Sequence, residues 1–364
     1  MYSQNDLDEA VAAGAITADA ASALRAFVET QRHTPVVDEE QFRLITGFND
    51  IFVSIAAAIL LVAVGWIGQQ LGPQVGDGGP SPLAGALVAA VAWGLALFFT
   101  AKRRMALPSI LLLLAFIGGV FFTAIFCTVL VVGADRFNDN SQLQGVVGAG
   151  SAVIAGGAAW LHWRRFHVPI TVAAGAAAAC GIALGLLMAA LGNVENMRNV
   201  ILGFVLLLGL GVFYVAMRWD SSDPARITRR SDVAFWLHLL AAPMIAHPIF
   251  ALLGVSQGSV TVGQGFVVVL LYILFGLAAL AVDRRALLVS ALAYVLWALS
   301  ELFRQFGAVQ LNIALTALVI GSALLLLSAF WHQARAAVVK PLPEGLRTKL
   351  PLLDRATAAS QPAA

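Results

Sequence analysis

Ten long apolar runs are the feature that most constrains how this chain can fold. Each run has about 20 mainly apolar residues, the length that a helix needs to cross roughly 30 Å of hydrocarbon. The runs are continuous and do not alternate with polar residues, which favours helices over barrel strands. We therefore predict an all-α fold, a polytopic transmembrane bundle at residues 46–331. The ten predicted spans are 48–70, 83–101, 109–133, 143–162, 169–191, 199–217, 233–254, 264–282, 286–303 and 308–331.

Composition narrows the class of protein in the same direction. Hydrophobic residues make up 60% of the chain and charged residues 12%, whereas a soluble domain has about 45–50% and about 25%. These values argue against a water-soluble globule and a disordered chain, and the net charge of +2 gives no reason to expect a nucleic-acid partner. Cys127 and Cys180 lie inside apolar runs and are expected to act as small hydrophobes, without a disulfide.

The distribution of lysine and arginine predicts the orientation of the bundle. If the N-terminus is cytoplasmic, 19 of the 22 basic residues fall on the cytoplasmic side, and only Arg136, Arg198 and Arg304 do not. Cytoplasmic loops of membrane proteins carry this excess of positive charge. We therefore expect both termini to lie in the cytoplasm and ten spans to be the correct number.

Residues 1–45 form a polar segment before the first span, with eight acidic residues against three arginines. We predict a cytoplasmic helical hairpin whose first helix runs from about Asn5 to Ala13 and ends at Gly14. Thr17 caps the second helix, which places Ala20, Leu24, Phe27 and Val28 on one face. The hairpin is interpreted either as a solvated cap or as a docking module for a protein partner.

Residues 332–364 form the other polar end of the chain. They carry three prolines among basic residues and finish in Ala, Ser and Gln. We predict a cytoplasmic tail with a disordered distal end.

Small residues predict where two of the spans pack. The fourth span contains Gly145, Gly148 and Gly156, and the fifth contains Gly181 and Gly185 in a GxxxG pattern. Such faces let helices approach closely in lipid. We therefore predict a tight hairpin of these two spans.

Ionisable residues inside spans are costly, so each is a candidate for a binding site. His247, Glu301, Arg304 and Asn312 lie in the outer halves of the seventh, ninth and tenth spans, and Gln310 lies close to Asn312. Pro243 and Pro248 predict a bent or locally unwound helix around His247. We predict that these side chains converge on a polar site open to the outer face.

Each of these residues also has a purely structural interpretation. Glu301 and Arg304 suit an interfacial ion pair, Gln310 and Asn312 suit caps at the end of a loop, and His247 suits a bond between neighbouring helices. His238 is interpreted as structural. Asn49 and Asp50 are interpreted as stabilising the start of the first helix.

No catalytic, cofactor or metal pattern is found in the sequence. His162 and His167 are close together but lack a third zinc ligand. Spans rich in Ala, Val, Leu and Gly offer no general base. We therefore expect a protein that is not an enzyme, with no catalytic residue, cofactor or metal.

Two short stretches resemble known sequences. The segment AGAITADAASALRAFV, with Gly14, Ile16, Ala21 and Leu24, is similar to the helical segment before the spans of predicted bacterial inner-membrane proteins of unknown function. The segment LPEGLRTKLP, Leu342 to Pro351, is similar to the ends of such proteins. The resemblance implies a multi-span protein of the bacterial inner membrane, and it implies no activity or binding residue.

Two functions follow as expectations. The first is a transporter or permease for a small solute, with the polar site described above. The alternative is a membrane scaffold, sensor or assembly factor that recruits a protein partner through its N-terminal segment. In both cases the bilayer itself is the main partner, and nucleic acid is not.

Overall fold

A computed structural model describes residues 7, 10–31, 48–192, 194–224, 226, 228–254, 261–305, 311–351 and 353. The chain divides into two compact units, Met1–Arg43 and Leu44–Ala364.

The first unit contains helix α1, Ala18–Gln31. Residues 10–12 are also helical, and Gly14 follows with a φ of +70°, the left-handed conformation in which glycine commonly ends a helix. The Thr17 hydroxyl accepts a hydrogen bond from the Ala20 amide at 3.1 Å, as predicted for a cap. The side chains of Phe27 and Val28 and residues 32–47 lie outside the described part of the chain.

The second unit contains ten helices long and apolar enough to cross a membrane, so the predicted all-α polytopic bundle is confirmed. No strand occurs among the residues that the structure describes. The spanning helices are α2 (Phe48–Leu71), α3 (Pro82–Phe99), α4 (Ala106–Val132), α6 (Ser141–Phe166), α7 (Ile170–Leu191), α8 (Met197–Ser221), α9 (Arg229–Leu252), α10 (Val262–Val282), α11 (Ala286–Gln305) and α12 (Asn312–Ala329). A short helix, α5 (Ala134–Asn138), lies between α4 and α6.

Several helices extend beyond the apolar run that predicted them. Helix α6 continues through Arg164 and Arg165, and α8 continues through Arg218 to Ser221. Charged residues can continue the hydrogen bonding of a helix beyond the membrane, whereas hydropathy detects only the apolar segment that lies in the hydrocarbon. The ends therefore differ from the prediction by a few residues, and the number of spans does not.

The predicted hairpin of the fourth and fifth spans is confirmed by the contact between α6 and α7. A Cβ atom added at Gly185 would lie 2.7 Å from the Ala149 nitrogen and 2.7 Å from the Gly145 oxygen. The two backbones are thus in direct contact, which only glycine permits at these positions.

Helix α9 is the most deeply buried span. More than half of its most apolar window is inside the bundle, against about a tenth for α12. Ala241, Ala242 and Ala246 are fully covered, and the hydrophobic cores formed with α8, α10 and α11 all include residues of α9. Small side chains on several faces allow neighbours to approach α9 from several directions.

The chain after α12 is folded against the bundle over residues 331–351. Helix α13 (Trp331–Val339) and helix α14 (Glu344–Arg347) follow α12. Trp331, Arg335 and Val339 of α13 are buried at four-residue spacing, so this segment has a packed face and is not a simple tail. The distal end predicted to be disordered lies outside the described residues.

Candidate functional site

Each of the four predicted site residues lies on helix α11 or is hydrogen-bonded to a residue of that helix. His247 of α9 is hydrogen-bonded through Nδ1 to the Tyr294 hydroxyl of α11. Tyr294 also stacks on Phe250, with ring centroids 4.6 Å apart. The imidazole therefore links two neighbouring helices, as the structural interpretation of His247 requires.

Glu301 and Arg304 form an ion pair one turn apart on α11. Arg304 Nη2 donates to Glu301 Oε1 at 2.7 Å. The Glu301 side chain is 10% exposed, whereas that of Arg304 is 52% exposed. The carboxylate thus lies inside the bundle, and the guanidinium extends from it toward the surface.

Asn312 begins α12 and contacts the same part of α11. Its Nδ2 donates to the Ser300 hydroxyl at 3.1 Å. Gln310 lies outside the described residues. The four predicted site residues therefore belong to three separate pairs, each with at least one member on α11. None of the described hydrogen bonds joins His247 to Glu301 or to Asn312.

The three pairs nevertheless share one region of the bundle. Tyr294 and Glu301 are seven residues apart, so they lie on the same face of α11, about 10 Å apart along the axis. Ser300 precedes Glu301 directly. The pairs thus form a polar strip along the C-terminal half of α11, between α9 and α12.

Two further hydroxyls in this region have no hydrogen-bond partner among the described residues. The Tyr272 Oη atom of α10 and the Thr316 Oγ1 atom of α12 are both buried, and Thr316 is only 4% exposed. Thr316 is one turn from Asn312, on the same face. Tyr272 and Tyr294 pack against one hydrophobic core, which also contains Ile320. These two residues were missed by sequence reasoning, because Tyr and Thr are common in spans.

Helix α9 remains helical through both of its prolines. The described helix runs from Arg229 to Leu252 with Pro243 and Pro248 inside it. The predicted alternative of local unwinding around His247 is therefore not observed. Ala242 and Ala246, close to the two prolines, are fully buried against neighbouring helices, and this packing stabilises the helix where the prolines remove backbone hydrogen bonds.

The largest group of buried charges lies at the other end of these helices. We call it the basic-end cluster, and each of its side chains is at most 6% exposed: Asp220, Asp223, Asp283, Arg226, Arg284 and Arg335. Three carboxylates thus accompany three guanidinium groups. Burial of unpaired charges would be very costly, so this balance of charge is what makes the cluster stable.

Asp220, near the end of α8, is the centre of the cluster. Arg284 Nη2 donates to Asp220 Oδ1 at 2.7 Å, and His238 Nε2 lies 3.0 Å from Asp220 Oδ2. Arg226 Nε is 3.7 Å from Asp220 Oδ1. His238 therefore has a structural role, as interpreted from the sequence.

Asp283 connects the cluster to the C-terminal segment. Arg226 Nη1 donates to Asp283 Oδ2 at 3.0 Å, and Trp331 Nε1 donates to Asp283 Oδ1 at 2.8 Å. Arg335 Nε is 3.7 Å from the same oxygen, and its Nη2 donates to the Pro351 carbonyl at 2.7 Å. These bonds hold residues 331–351 against the turn between α10 and α11.

Two cluster residues have a left-handed backbone. The φ angles of Arg226 and Asp283 are +55° and +59°. Asp tolerates this conformation better than Arg, for which it is costly. The hydrogen bonds from Arg226 to the carbonyls of Val282 and Asp283 offset that cost.

The basic-end cluster was not predicted from the sequence, because its arginines were interpreted only as signals of topology. The acidic residues close to these arginines could have predicted a cluster of paired charges. Asp220 near the end of α8 and Asp223 and Asp283 in turns all lie within three residues of an arginine. Carboxylates contribute little to the orientation of a membrane protein, so acidic residues beside these arginines indicate another role.

His162 and His167 do not act together in the structure. His162 is fully buried, its Nδ1 lies 3.2 Å from the Thr171 hydroxyl, and rings of Trp93 and Phe166 surround it. His167 instead ends α6 in a left-handed conformation. Over the described part of the chain, no group of three or more His, Cys, Asp or Glu residues could hold a metal ion.

Comparison with known proteins adds no further constraint. No protein-family model, no curated protein and no solved structure matches the chain.

Proposed function

We propose that this integral membrane protein is a permease-like protein for a small polar solute and is not an enzyme. The ten apolar helices establish the integral membrane class. The solute would bind along the polar strip of α11, between α9, α10 and α12. We also propose that both termini are cytoplasmic, because of the distribution of arginine and lysine. We propose that the membrane is the bacterial inner membrane, because two short segments of the chain resemble proteins of that membrane.

The observation that carries the proposal is the two buried hydroxyls of Tyr272 and Thr316, which lack hydrogen-bond partners among the described residues. A buried polar group without a hydrogen bond costs about 1–3 kcal/mol, and such groups in native proteins need an explanation. A polar solute bound between α10 and α12 would supply the missing hydrogen bonds.

The neighbouring side chains suit such a solute chemically. The Ser300–Asn312 pair offers amide and hydroxyl groups, and the half-exposed Arg304 offers a positive charge beside the buried Glu301. Residues with this range of donors and acceptors bind small polar molecules when they line one region of a bundle.

Thr316→Val removes the hydroxyl and keeps the β-branched shape, so it tests whether this hydroxyl binds a solute. The purified wild-type protein is heated with amino acids, small carboxylic acids, sugars and polyols, one at a time. We expect at least one solute to raise the melting temperature, since a ligand at a hundredfold its Kd stabilises the folded state by about 2.7 kcal/mol. The Thr316→Val and Tyr272→Phe variants should lose that rise. Without solute they should melt at or above the temperature of the wild-type protein, because the cost of the unpaired hydroxyl is removed.

Thr100→Val is the matched control. Thr100 also buries a hydroxyl without a partner among the described residues, but it lies at the end of α3. This variant should respond to the solute as the wild-type protein does. An equal loss of response in Thr100→Val and Thr316→Val, or no response of the wild-type protein to any solute, would contradict the proposal.

A second function is favoured by the separate N-terminal unit, Met1–Arg43. A compact unit of its own suits a scaffold, sensor or assembly factor that recruits a protein partner. The test is a chain that lacks residues 1–45, expressed in cells from which the gene has been deleted. If the bundle keeps its melting temperature and its solute response but fails to restore the phenotype of the deleted gene, the scaffold function is supported. Full restoration would contradict it.

A further inference from the structure

Helices α2, α3 and α4 line an open cavity of about 480 Å³, which forms a groove. Its lining includes Gly118 on α4, with Trp66, Phe122 and Phe126 as walls and Gln69 and Ser81 at one end. The volume is within the range of small-molecule sites, about 300–1,000 Å³. The lining is almost entirely apolar, so the cavity suits a hydrocarbon and not the polar solute proposed above.

The cavity opens on a surface that faces hydrocarbon in a membrane. Its wall residues Trp66 and Phe122 are 69% and 53% exposed. The exposed face continues along α2 through Val62 and Ile59, which are 72% and 66% exposed. A groove that continues an exposed apolar face of a spanning helix is in contact with the lipid chains.

The length of the groove corresponds to one leaflet. Along α4 the lining extends from Leu114 to Phe126, which is about 18 Å at the rise of an α-helix. Half of a bilayer's hydrocarbon thickness is about 15 Å. The polar end of the groove, at Gln69 and Ser81, lies where α2 ends and α3 begins, which is the depth of the lipid head groups.

The end of the groove is fixed by hydrogen bonds of Gln69. Its Nε2 donates to the Gly79 carbonyl at 2.8 Å, and its Oε1 accepts from the Ser81 amide at 2.8 Å. These bonds hold the loop between α2 and α3 across the top of the groove. The groove is therefore built by the fold before any ligand arrives.

We propose that this groove is a binding site for one acyl chain of a membrane phospholipid, from the leaflet at the end where α2 meets α3. An empty groove would leave its walls without dispersion contacts on one side, and an acyl chain is the matching apolar chain that the bilayer supplies. The site is independent of the solute site, so either proposal can fail without the other.

Glycine positions make the test specific. A Cβ atom at Gly118 would meet no atom within 4 Å, and the same is true of Gly94 on α3. Gly94 does not line the cavity. A Gly118→Leu side chain therefore fills the groove without moving the backbone, whereas a Gly94→Leu side chain lies elsewhere and serves as the matched control.

The experiment is native mass spectrometry of the full chain after removal of lipid, titrated with dioleoyl phosphatidylglycerol and, in a second arm, with free oleic acid. We expect the wild-type protein and Gly94→Leu to retain one phospholipid tightly. Gly118→Leu should bind the phospholipid at least about tenfold more weakly, because displacing two methylene groups already removes about that factor. Phe122→Ala, which removes a wall, should also weaken retention.

Three results would overturn the proposal. The first is equal retention of phospholipid by Gly118→Leu and Gly94→Leu. The second is retention of oleic acid but not of phospholipid, which would assign the groove to a free fatty acid. The third is a wild-type dimer that Gly118→Leu converts to a monomer, which would assign the groove to a second copy of the chain.

Discussion

Asp220 has partners from three different segments of the chain. It accepts from Arg284 at 2.7 Å, lies 3.0 Å from His238 Nε2 and is 3.7 Å from Arg226 Nε. Its exposure is 1%, so water cannot replace any of these partners. A single carboxylate thus joins the end of α8 to α9 and to the turn before α11.

We predict that Asp220→Asn lowers the stability of the bundle by about 3–5 kcal/mol. The substitution removes one negative charge and leaves buried guanidinium groups unbalanced, which is the costly way to break a buried pair. Thermal unfolding in detergent measures the effect. Asp77→Asn, the same change in an exposed loop, should alter stability by no more than about 0.5 kcal/mol.

A double variant tests whether charge balance is the cause. Asp220→Asn combined with Arg284→Gln removes one charge of each sign. The combined loss of stability should be smaller than the sum of the two single losses, because each single variant leaves its partner unpaired. Additive losses would show that the two groups act independently.

At the residue scale, the sequence predicted the ionisable members of the polar strip and not their partners. His247 and Glu301 stand out because charged or titratable groups in apolar runs are rare. Tyr294, Ser300 and Thr316 do not stand out, since their importance depends on which helices pack together. The partners of Asp220 were hidden for the same reason, because 64 residues separate it from Arg284.

At the element scale, the α6–α7 hairpin shows how a short motif can determine packing. Gly185 and Gly145 lie against each other with no room for a Cβ atom. This contact was predictable because small residues at four-residue spacing form one face of a helix. Helix α13 was not predictable in the same way, because its arginine and its neighbouring prolines are also typical of a polar tail.

We predict that Gly185→Ala destabilises the bundle by about 1–3 kcal/mol, the cost of inserting a methyl group into a closely packed contact. Its Cβ atom would lie 2.7 Å from backbone atoms of α6, which cannot move independently of the helix. Thermal unfolding is the measurement.

Gly148→Ala on α6 is the control for this contact. A Cβ atom there meets nothing within 4 Å, so the variant should be as stable as the wild-type protein or slightly more so, by the better helix propensity of alanine. If both variants were equally destabilised, close packing at Gly185 would not be the reason.

At the scale of the whole molecule, hydropathy was sufficient to predict the class and the number of spans. Ten runs of sufficient length produced ten helices, because the bilayer sets both the length and the composition of a spanning segment. The arrangement of the helices was not predictable, since lipid-facing and helix-facing surfaces are both apolar. The central position of α9 and the location of the acyl-chain groove are consequences of that arrangement.

The two ends of the α9–α11 pair differ in a way that bears on function. The basic-end cluster pairs three carboxylates with three guanidinium groups, whereas the opposite half contains two neutral hydroxyls, of Tyr272 and Thr316, that lack hydrogen-bond partners among the described residues. A region with unused neutral hydrogen-bonding groups suits a polar ligand, and a region whose buried charges are paired suits a structural anchor. For this reason we propose the solute site in the half of the bundle opposite the basic-end cluster.

Uptake into sealed vesicles tests the proposed transport of a small polar solute most directly. The protein is reconstituted into phosphatidylethanolamine–phosphatidylglycerol vesicles, and uptake of the radiolabelled solute that raised the melting temperature most is measured over time. We predict uptake above that of protein-free vesicles for the wild-type protein and Thr100→Val, and uptake at the protein-free level for Thr316→Val. Uptake by the wild-type protein no greater than by protein-free vesicles would contradict the account.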